Sequence, residues 1–199
     1  ARRDAEVMAM PELRLRPEGW ALLRKGFDDL EKRFQTPMYF QFSLSALFTN
    51  VQGVRPQQTM PWAEAVAVLA ERFDSIGDFH KNNADDYDKL SRITREKGAE
   101  WGEPMIYQYE NLMWSTTKVL QPGLNALREC WQKARDNGAT LLQHTTWNDY
   151  NENTHLAPNS ETNYVYLDLC GYYAQWWKTG RQPAIDHDRP YGLAPAGAR

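Results

Sequence analysis

The sequence predicts an α/β fold built on a parallel sheet, and three observations carry that reading. Helical segments of ten or more residues alternate with short β-prone runs along the chain. Each run is preceded by a helix that ends in glycine or by a short turn, with Gly98 and Gly138 as the glycine stops, and Gly180 sits just past the last helix. There is no Gly-x-Gly-x-x-Gly and no phosphate loop, which weakens a nucleotide-binding version of the fold. A (β/α) barrel and an open doubly wound sheet both fit the alternation. The 199 residues suit one domain or at most two small ones. A full eight-stranded barrel usually needs ~250 residues, so with three or four strands in view a barrel would be represented mainly by its C-terminal half.

The elements follow in order. Trp20, Leu23, Phe27, Leu30 and Phe34 recur at spacings of three and four, which predicts a helix over Pro17–Phe34. The aromatic run Pro37–Leu44 predicts a strand. Residues 57–61 read as a loop and Pro61–Phe73 as a helix with proline in its first turn. Ser75–His80 reads as a short strand, and Asp85 or Asp86 as the cap of a helix running to Lys97 before Gly98. Pro104–Tyr109 (PMIYQY) predicts a strand, Gly123–Asn137 a helix, and Thr140–Thr146 (TLLQHTT) a further strand. A long loop then leads to a helix over Glu161–Lys178, rich in Tyr and Trp and read as core-facing, with sugar stacking by Trp176 and Trp177 as the alternative. The segment after Thr179 has three prolines and three glycines and reads as an extended tail (181–199) leaving a barrel-type body (1–180).

Composition removes several functional classes. With 26 acidic against 23 basic side chains and a net charge of -3, the chain has no electrostatic footprint for nucleic acid. No apolar run approaches the ~18 residues that a membrane span requires, so no membrane association is expected. Cys130 and Cys170 do not make a disulfide framework and read as small core residues. His80, His144, His155 and His187 share no metal-ligand spacing, and 82–88 lacks the glycine and terminal glutamate of a calcium loop, so neither metal nor cofactor is expected. The N-terminal ARRDAEVMAM has no apolar core and does not read as a signal peptide. The 8 Trp and 10 Tyr are more than a core of this size needs and suit a surface that stacks on sugar rings.

The segment richest in chemistry is 143–159, QHTTWNDYNENTHLAPN, which begins at the C-terminal end of a predicted strand, where parallel α/β folds gather their sites. Asp149 and Glu152 form a carboxylate pair of the kind glycosidic hydrolysis uses: one acid protonates the leaving oxygen, and the ionised partner activates water or attacks the sugar. Trp147 and Tyr150 would make an aromatic wall, while Asn148, Asn151, Asn153 and His155 would bind hydroxyls. The plainer reading is a loop in which Asn and Asp serve their own backbone. A second polar strand end offers Tyr107, Gln108, Tyr109, Glu110 and Asn111, then Trp114, to the same cleft under a barrel reading, and is an ordinary polar loop otherwise.

Trp147-Asn148-Asp149-Tyr150-Asn151-Glu152-Asn153-Thr154-His155 resembles the W-N-D-Y-G-E-S-H segment of glycoside hydrolase family 71, the endo-1,3-α-glucanases or mutanases. Gly102-Glu103-Pro104-Met105 looks like that family's GKPYM strand, and Leu156-Ala157-Pro158 looks like its IGP. The likeness covers roughly residues 95–192, with Asn151 in place of the usual glycine. A related W-N-E-W-x-E-G pattern occurs in family 99 endo-mannosidases and in WbsX-like polysaccharide biosynthesis proteins. The resemblance implies a (β/α)8 barrel of the TIM type, present as a partial or trimmed barrel, that hydrolyses a polysaccharide with inversion and without metal or cofactor. It implies Glu152 as general acid and Asp149 as base. The substrate class carries the expectation of a secreted or periplasmic protein. A carbohydrate-binding protein without catalysis and a WbsX-like role in polysaccharide synthesis are the alternatives.

Overall fold

A computed structural model describes residues 17–44, 62–79, 87–109 and 124–185, with backbone only for 17–21 and 23. The elements are α1 (Pro17–Phe34), β1 (Gln41–Ser43), α2 (Trp62–Ala70), β2 (Ser75–Gly77), α3 (Tyr87–Glu96), β3 (Glu100–Met105), α4 (Leu124–Asp136), β4 (Leu141–His144) and α5 (Val165–Thr179). The four strands form one sheet in the order β1-β2-β3-β4. β1 and β2 pair in parallel with Phe42 opposite Ile76, and β2 and β3 pair in parallel with Ile76 opposite Trp101. Along β4, Thr140 N–H reaches Trp101 O at 3.1 Å and Thr145 N–H reaches Met105 O at 3.4 Å; both chains advance together, so this pair is parallel as well. The protein is therefore α/β, with a four-stranded parallel sheet. A doubly wound sheet reverses its strand order at a switch point, and the order seen here contains no reversal.

By contact density the chain divides into two compact units, one within Ala1–Pro104 and Asp136–Gln143, the other within Met105–Arg135 and His144–Arg199. In the first, one face of the ladder presents Phe42, Ile76 and Trp101, all buried. Phe42 meets Phe73 at 5.1 Å, Phe73 meets Phe27 of α1 edge-on, and Phe27 stacks on Phe40 at 4.1 Å. The aromatic repeat of α1 is thus used at Phe27, whereas Leu30 and Phe34 are exposed. The opposite face is made of small groups. Gly77 lies beside Gly102, and the Gln41 side chain crosses both, close enough that a Cβ at either glycine would collide with its amide.

β3 departs from the sequence expectation. It runs over Glu100–Met105, four residues before the expected Pro104–Tyr109, and residues 106–108 are buried but carry no ladder. Glu103 explains the shift. It is 1% exposed, and its Oε2 accepts Trp101 Nε1–H at 2.6 Å and Asn137 Nδ2–H at 3.0 Å. A charged residue inside the core is tolerated where its neighbours donate to it, and that supply is invisible in a hydropathy pattern.

The second unit is organised by α4, whose Leu127, Cys130, Trp131 and Ala134 are buried at helical spacing. Cys130 Sγ–H donates to Ile106 O at 3.2 Å, and Trp131 stacks on Tyr173 of α5 at 5.7 Å. α5 begins at Val165 rather than at the expected Glu161, because Asn159 Oδ1 accepts the N–H groups of Glu161 and Thr162 and holds them in a turn. It ends where expected: Gly180 is left-handed (φ 66°) and returns its N–H to Trp176 O at 2.8 Å. The core-facing expectation for the α5 aromatics holds for Tyr166, which is buried, but Tyr173, Trp176 and Trp177 are half-buried and line a cleft.

Candidate functional site

The loop that follows β4 lies wholly in the second unit. Its two legs are clipped together. Thr146 N–H donates to Thr154 O at 2.8 Å, the two threonine hydroxyls are 3.1 Å apart, and Ala157 N–H donates to Trp147 O at 2.7 Å. The clip holds a short turn built on Asp149. Asp149 N–H donates to Thr146 Oγ1 at 3.0 Å, Asp149 Oδ1 accepts Glu152 N–H at 3.1 Å, and Asp149 O accepts Thr154 N–H at 3.2 Å. Asn153 takes a left-handed conformation (φ 50°), which asparagine tolerates better than most residues, and so closes the turn. The peptide between Thr145 and Thr146 is cis.

This turn brings together most of the residues expected at the site. Asp149 and Glu152 are half-buried, three positions apart in one turn. Trp147 and Tyr150 belong to the same loop and are exposed at 56% and 48%, and Asn148 and Asn151 are exposed as well. The loop thus carries two half-buried carboxylates and two accessible aromatic rings within six residues.

His155 is placed differently from a residue that meets ligand directly. It is 4% exposed and lies against the Tyr150 ring at 4.8 Å. Its carbonyl accepts Gln108 Nε2–H at 3.2 Å, and its Nε2 is 2.6 Å from Asn159 Nδ2. Asn159 Oδ1 also accepts the Thr162 hydroxyl at 3.0 Å, besides two backbone N–H groups. The Asn159 amide is therefore fixed with Nδ2 toward the imidazole, so Nε2 is the acceptor and the neutral ring carries its proton on Nδ1. That Nδ1 is buried with no hydrogen-bond partner among the described residues. Burial lowers the His155 pKa, partly countered by the Glu161 carboxylate. His144, near Trp131 at 5.8 Å, is likewise lowered by burial.

Tyr107 belongs to the core of this unit. It is 3% exposed, packs on Tyr166 at 5.1 Å, and its buried hydroxyl has no hydrogen-bond partner among the described residues. Its pKa is pushed far up, first by burial and then by Cys170, Tyr166 and Cys130. The same burial pushes the Cys170 thiol up to about 12, although a hydrogen bond from Trp131 acts the other way. Both cysteines are free and buried. A protonated, enclosed thiol is a poor nucleophile. Glu110 and Trp114 lie outside the described residues.

Two residues order this region through contacts that the sequence expectation does not include. Asn159 locks the His155 tautomer, and Gln108, 2% exposed, ties the segment after β3 to the loop. The Asn-Ser-Glu-Thr run at 159–162 is the local signal for the first; the second has none, since its partner is a backbone carbonyl 47 residues away. In the first unit a buried carboxylate, Asp78, follows β2, accepting the Tyr87 hydroxyl at 2.6 Å and Phe79 N–H at 2.8 Å. Among the described residues no three His, Cys, Asp or Glu side chains group as a metal site, and no helix is long and apolar enough to cross a membrane.

The fold and loop define a class, an α/β protein with an acidic and aromatic loop at a strand's C-terminal end. No protein-family model matches this chain, and no curated protein or solved structure shows significant similarity to it.

Proposed function

We propose that this chain is a glycoside hydrolase acting on a polysaccharide, with endo-1,3-α-glucan as the first substrate to test, and that its sheet belongs to a (β/α)8 barrel. The carrying observation is the turn after β4, which joins half-buried Asp149 and Glu152 through one hydrogen bond in a loop that also exposes Trp147 and Tyr150. Parallel α/β folds collect catalytic groups at this end of the sheet because the strand fixes them while the loop varies. The strand order without reversal supports the barrel reading over a doubly wound one. On this reading Glu152 protonates the glycosidic oxygen, Asp149 activates water for attack on the opposite face, and the anomeric configuration inverts. No metal or cofactor enters the reaction. His155 supports Tyr150 from below, and Tyr150 and Trp147 hold sugar rings. Nucleic acid and membrane are not among the proposed partners, and the substrate class places the protein outside the cell or in the periplasm.

The test is reducing-sugar release from α-1,3-glucan by the wild type, Glu152→Gln and Asp149→Asn. Activity in the wild type with a loss of at least about a hundredfold in each variant is the expected result; full activity in both variants would overturn the assignment.

One observation favours a second reading. Asp149 Oδ1 is already committed to the Glu152 backbone, a structural use of the carboxylate. A carbohydrate-binding protein without catalysis, or a WbsX-like role in polysaccharide synthesis, would keep the aromatic walls and use Asp149 only to shape the loop. Saturable oligosaccharide binding without turnover would select binding alone, and product formation from a glycosyl donor would select synthesis.

A further inference from the structure

α4 and α5 border a half-open cleft of about 600 Å³, within the size range of small-molecule sites. Buried Trp131, half-buried Tyr173 and half-buried Trp176 line it. Trp131 and Tyr173 are inclined by 20°, and Tyr173 and Trp176 by 12° with centroids 6.3 Å apart, so the three rings make a nearly parallel row. Arg128, Glu129, Gln132 and Arg135 project from α4 along the same cleft. Its ionised groups are therefore two guanidiniums and one carboxylate, a net positive rim on a chain of net charge -3.

Arg135 is ordered in advance. Its guanidinium lies over the Trp176 ring at 5.8 Å, and its Nη2 donates to Gln132 Oε1 at 2.7 Å. A guanidinium held this way presents its remaining N–H groups as a planar fork suited to a carboxylate. Flat apolar ring faces beside bidentate polar groups match a pyranose, which offers C–H groups on its faces and oxygens at its edge.

We propose that this cleft is a binding site for an acidic oligosaccharide, a uronate-bearing chain whose sugar ring lies on Tyr173 and Trp176 and whose carboxylate meets Arg135 and Arg128. The site is separate from the Asp149 and Glu152 turn and does not depend on hydrolysis there. A second protein seated on the same helices is the competing occupant. The positive rim and the prearranged fork favour the uronate.

The experiment titrates the whole chain with trigalacturonate and with neutral maltotriose, following tryptophan fluorescence and calorimetric heat. Saturable binding of the acidic trimer is expected, about tenfold tighter than the neutral one and weakened by added salt. Arg135→Gln removes that preference, Arg135→Lys restores part of it, and Trp176→Ala abolishes binding of both. Should Trp176→Ala fail to fold by circular dichroism, the two Arg135 variants decide alone, since that side chain is exposed. Asp149→Asn/Glu152→Gln binds trigalacturonate as the wild type does, which separates failure of this site from failure of the hydrolase reading. Equal affinity for the two trimers, affinity unchanged in Arg135→Gln, no saturable response, or self-association through this face would each overturn the proposal.

Discussion

Asp149 Oδ1 accepts the backbone N–H of Glu152 at 3.1 Å, so the two acids of the loop are mechanically one unit. Removing the first carboxylate frees the backbone that carries the second. Asp149→Ala should lower stability by about 1 kcal/mol, the worth of such a capping bond, while Asp149→Asn, which keeps an acceptor oxygen, should be near neutral. Urea unfolding of both variants checks this. It also determines which substitution is a fair probe of chemistry, because activity lost in Asp149→Ala mixes loop disorder with the missing carboxylate.

Trp147 and Tyr150 expose about half of their surface, and neither is core. Trp147→Ala should leave the unfolding midpoint within about 0.5 kcal/mol of wild type, as for other surface changes. Under the proposed function it should raise KM for the glucan about tenfold with a smaller effect on kcat. A parallel loss of stability would show that the ring is structural.

Acid should destabilise the second unit through its histidines. Burial depresses the folded-state pKa of both His144 and His155 below the ordinary value near 6.5. A depressed group contributes stability that is fully present above its unfolded pKa and is lost as pH falls toward its folded pKa, because the unfolded chain then binds more protons. At His155 burial is the cause, opposed by the Glu161 carboxylate; protonation there would also set Nε2–H against the Asn159 amide donor, whose oxygen is held by three other donors. Unfolding midpoints should therefore fall on acidification from about pH 6.5, and His155→Gln should flatten the fall. An unchanged profile would show that His155 does not titrate with folding.

Glu103 gathers two donors inside the first unit, from Trp101 and Asn137. Glu103→Leu strands both, at about 1–3 kcal/mol for each buried unsatisfied group, and Glu103→Gln, which retains an acceptor oxygen, should cost clearly less. Thermal unfolding of the two variants measures the difference.

Gly77→Ala should destabilise by about 1–3 kcal/mol through overpacking. Its Cβ would meet the Gln41 amide and also the Gly102 carbonyl oxygen at 3.0 Å, which is backbone and cannot swing aside. Gly102→Ala should cost less, since the Gln41 amide is its one severe contact. Gln41→Ala should rescue Gly102→Ala more fully than Gly77→Ala, and a double-mutant cycle reads that coupling.

Where the chain states its geometry locally, the sequence is sufficient. α1 runs over Pro17–Phe34 as its periodicity predicts, and Gly98, Gly138 and Gly180 end helices with φ of 86°, 61° and 66°, a conformation other residues reach only with strain. The acidic and aromatic loop was legible as a candidate site because its residues are contiguous. What failed depended on distant partners. β3 starts earlier than expected because Glu103 is accommodated in the core by hydrogen bonds from its own strand and from the residue after α4. Tyr107 reads as a ligand contact in sequence but is buried against Tyr166 of α5; His155 is buried within its own loop, against Tyr150.

The small face of the sheet has a consequence for how the strands find each other. A slip of one residue would turn Phe42, Ile76 or Trp101 away from the aromatic core and is rejected by hydrophobicity alone. A slip of two residues keeps every side chain on its proper face, and burial does not penalise it. The contact of Gly77 with Gly102 beneath Gln41 separates the native alignment from that error, since Ser75 or Phe79, Glu100 or Pro104 would otherwise have to fit under the amide. The two glycines thus encode the alignment of three strands, information carried by the absence of side chains.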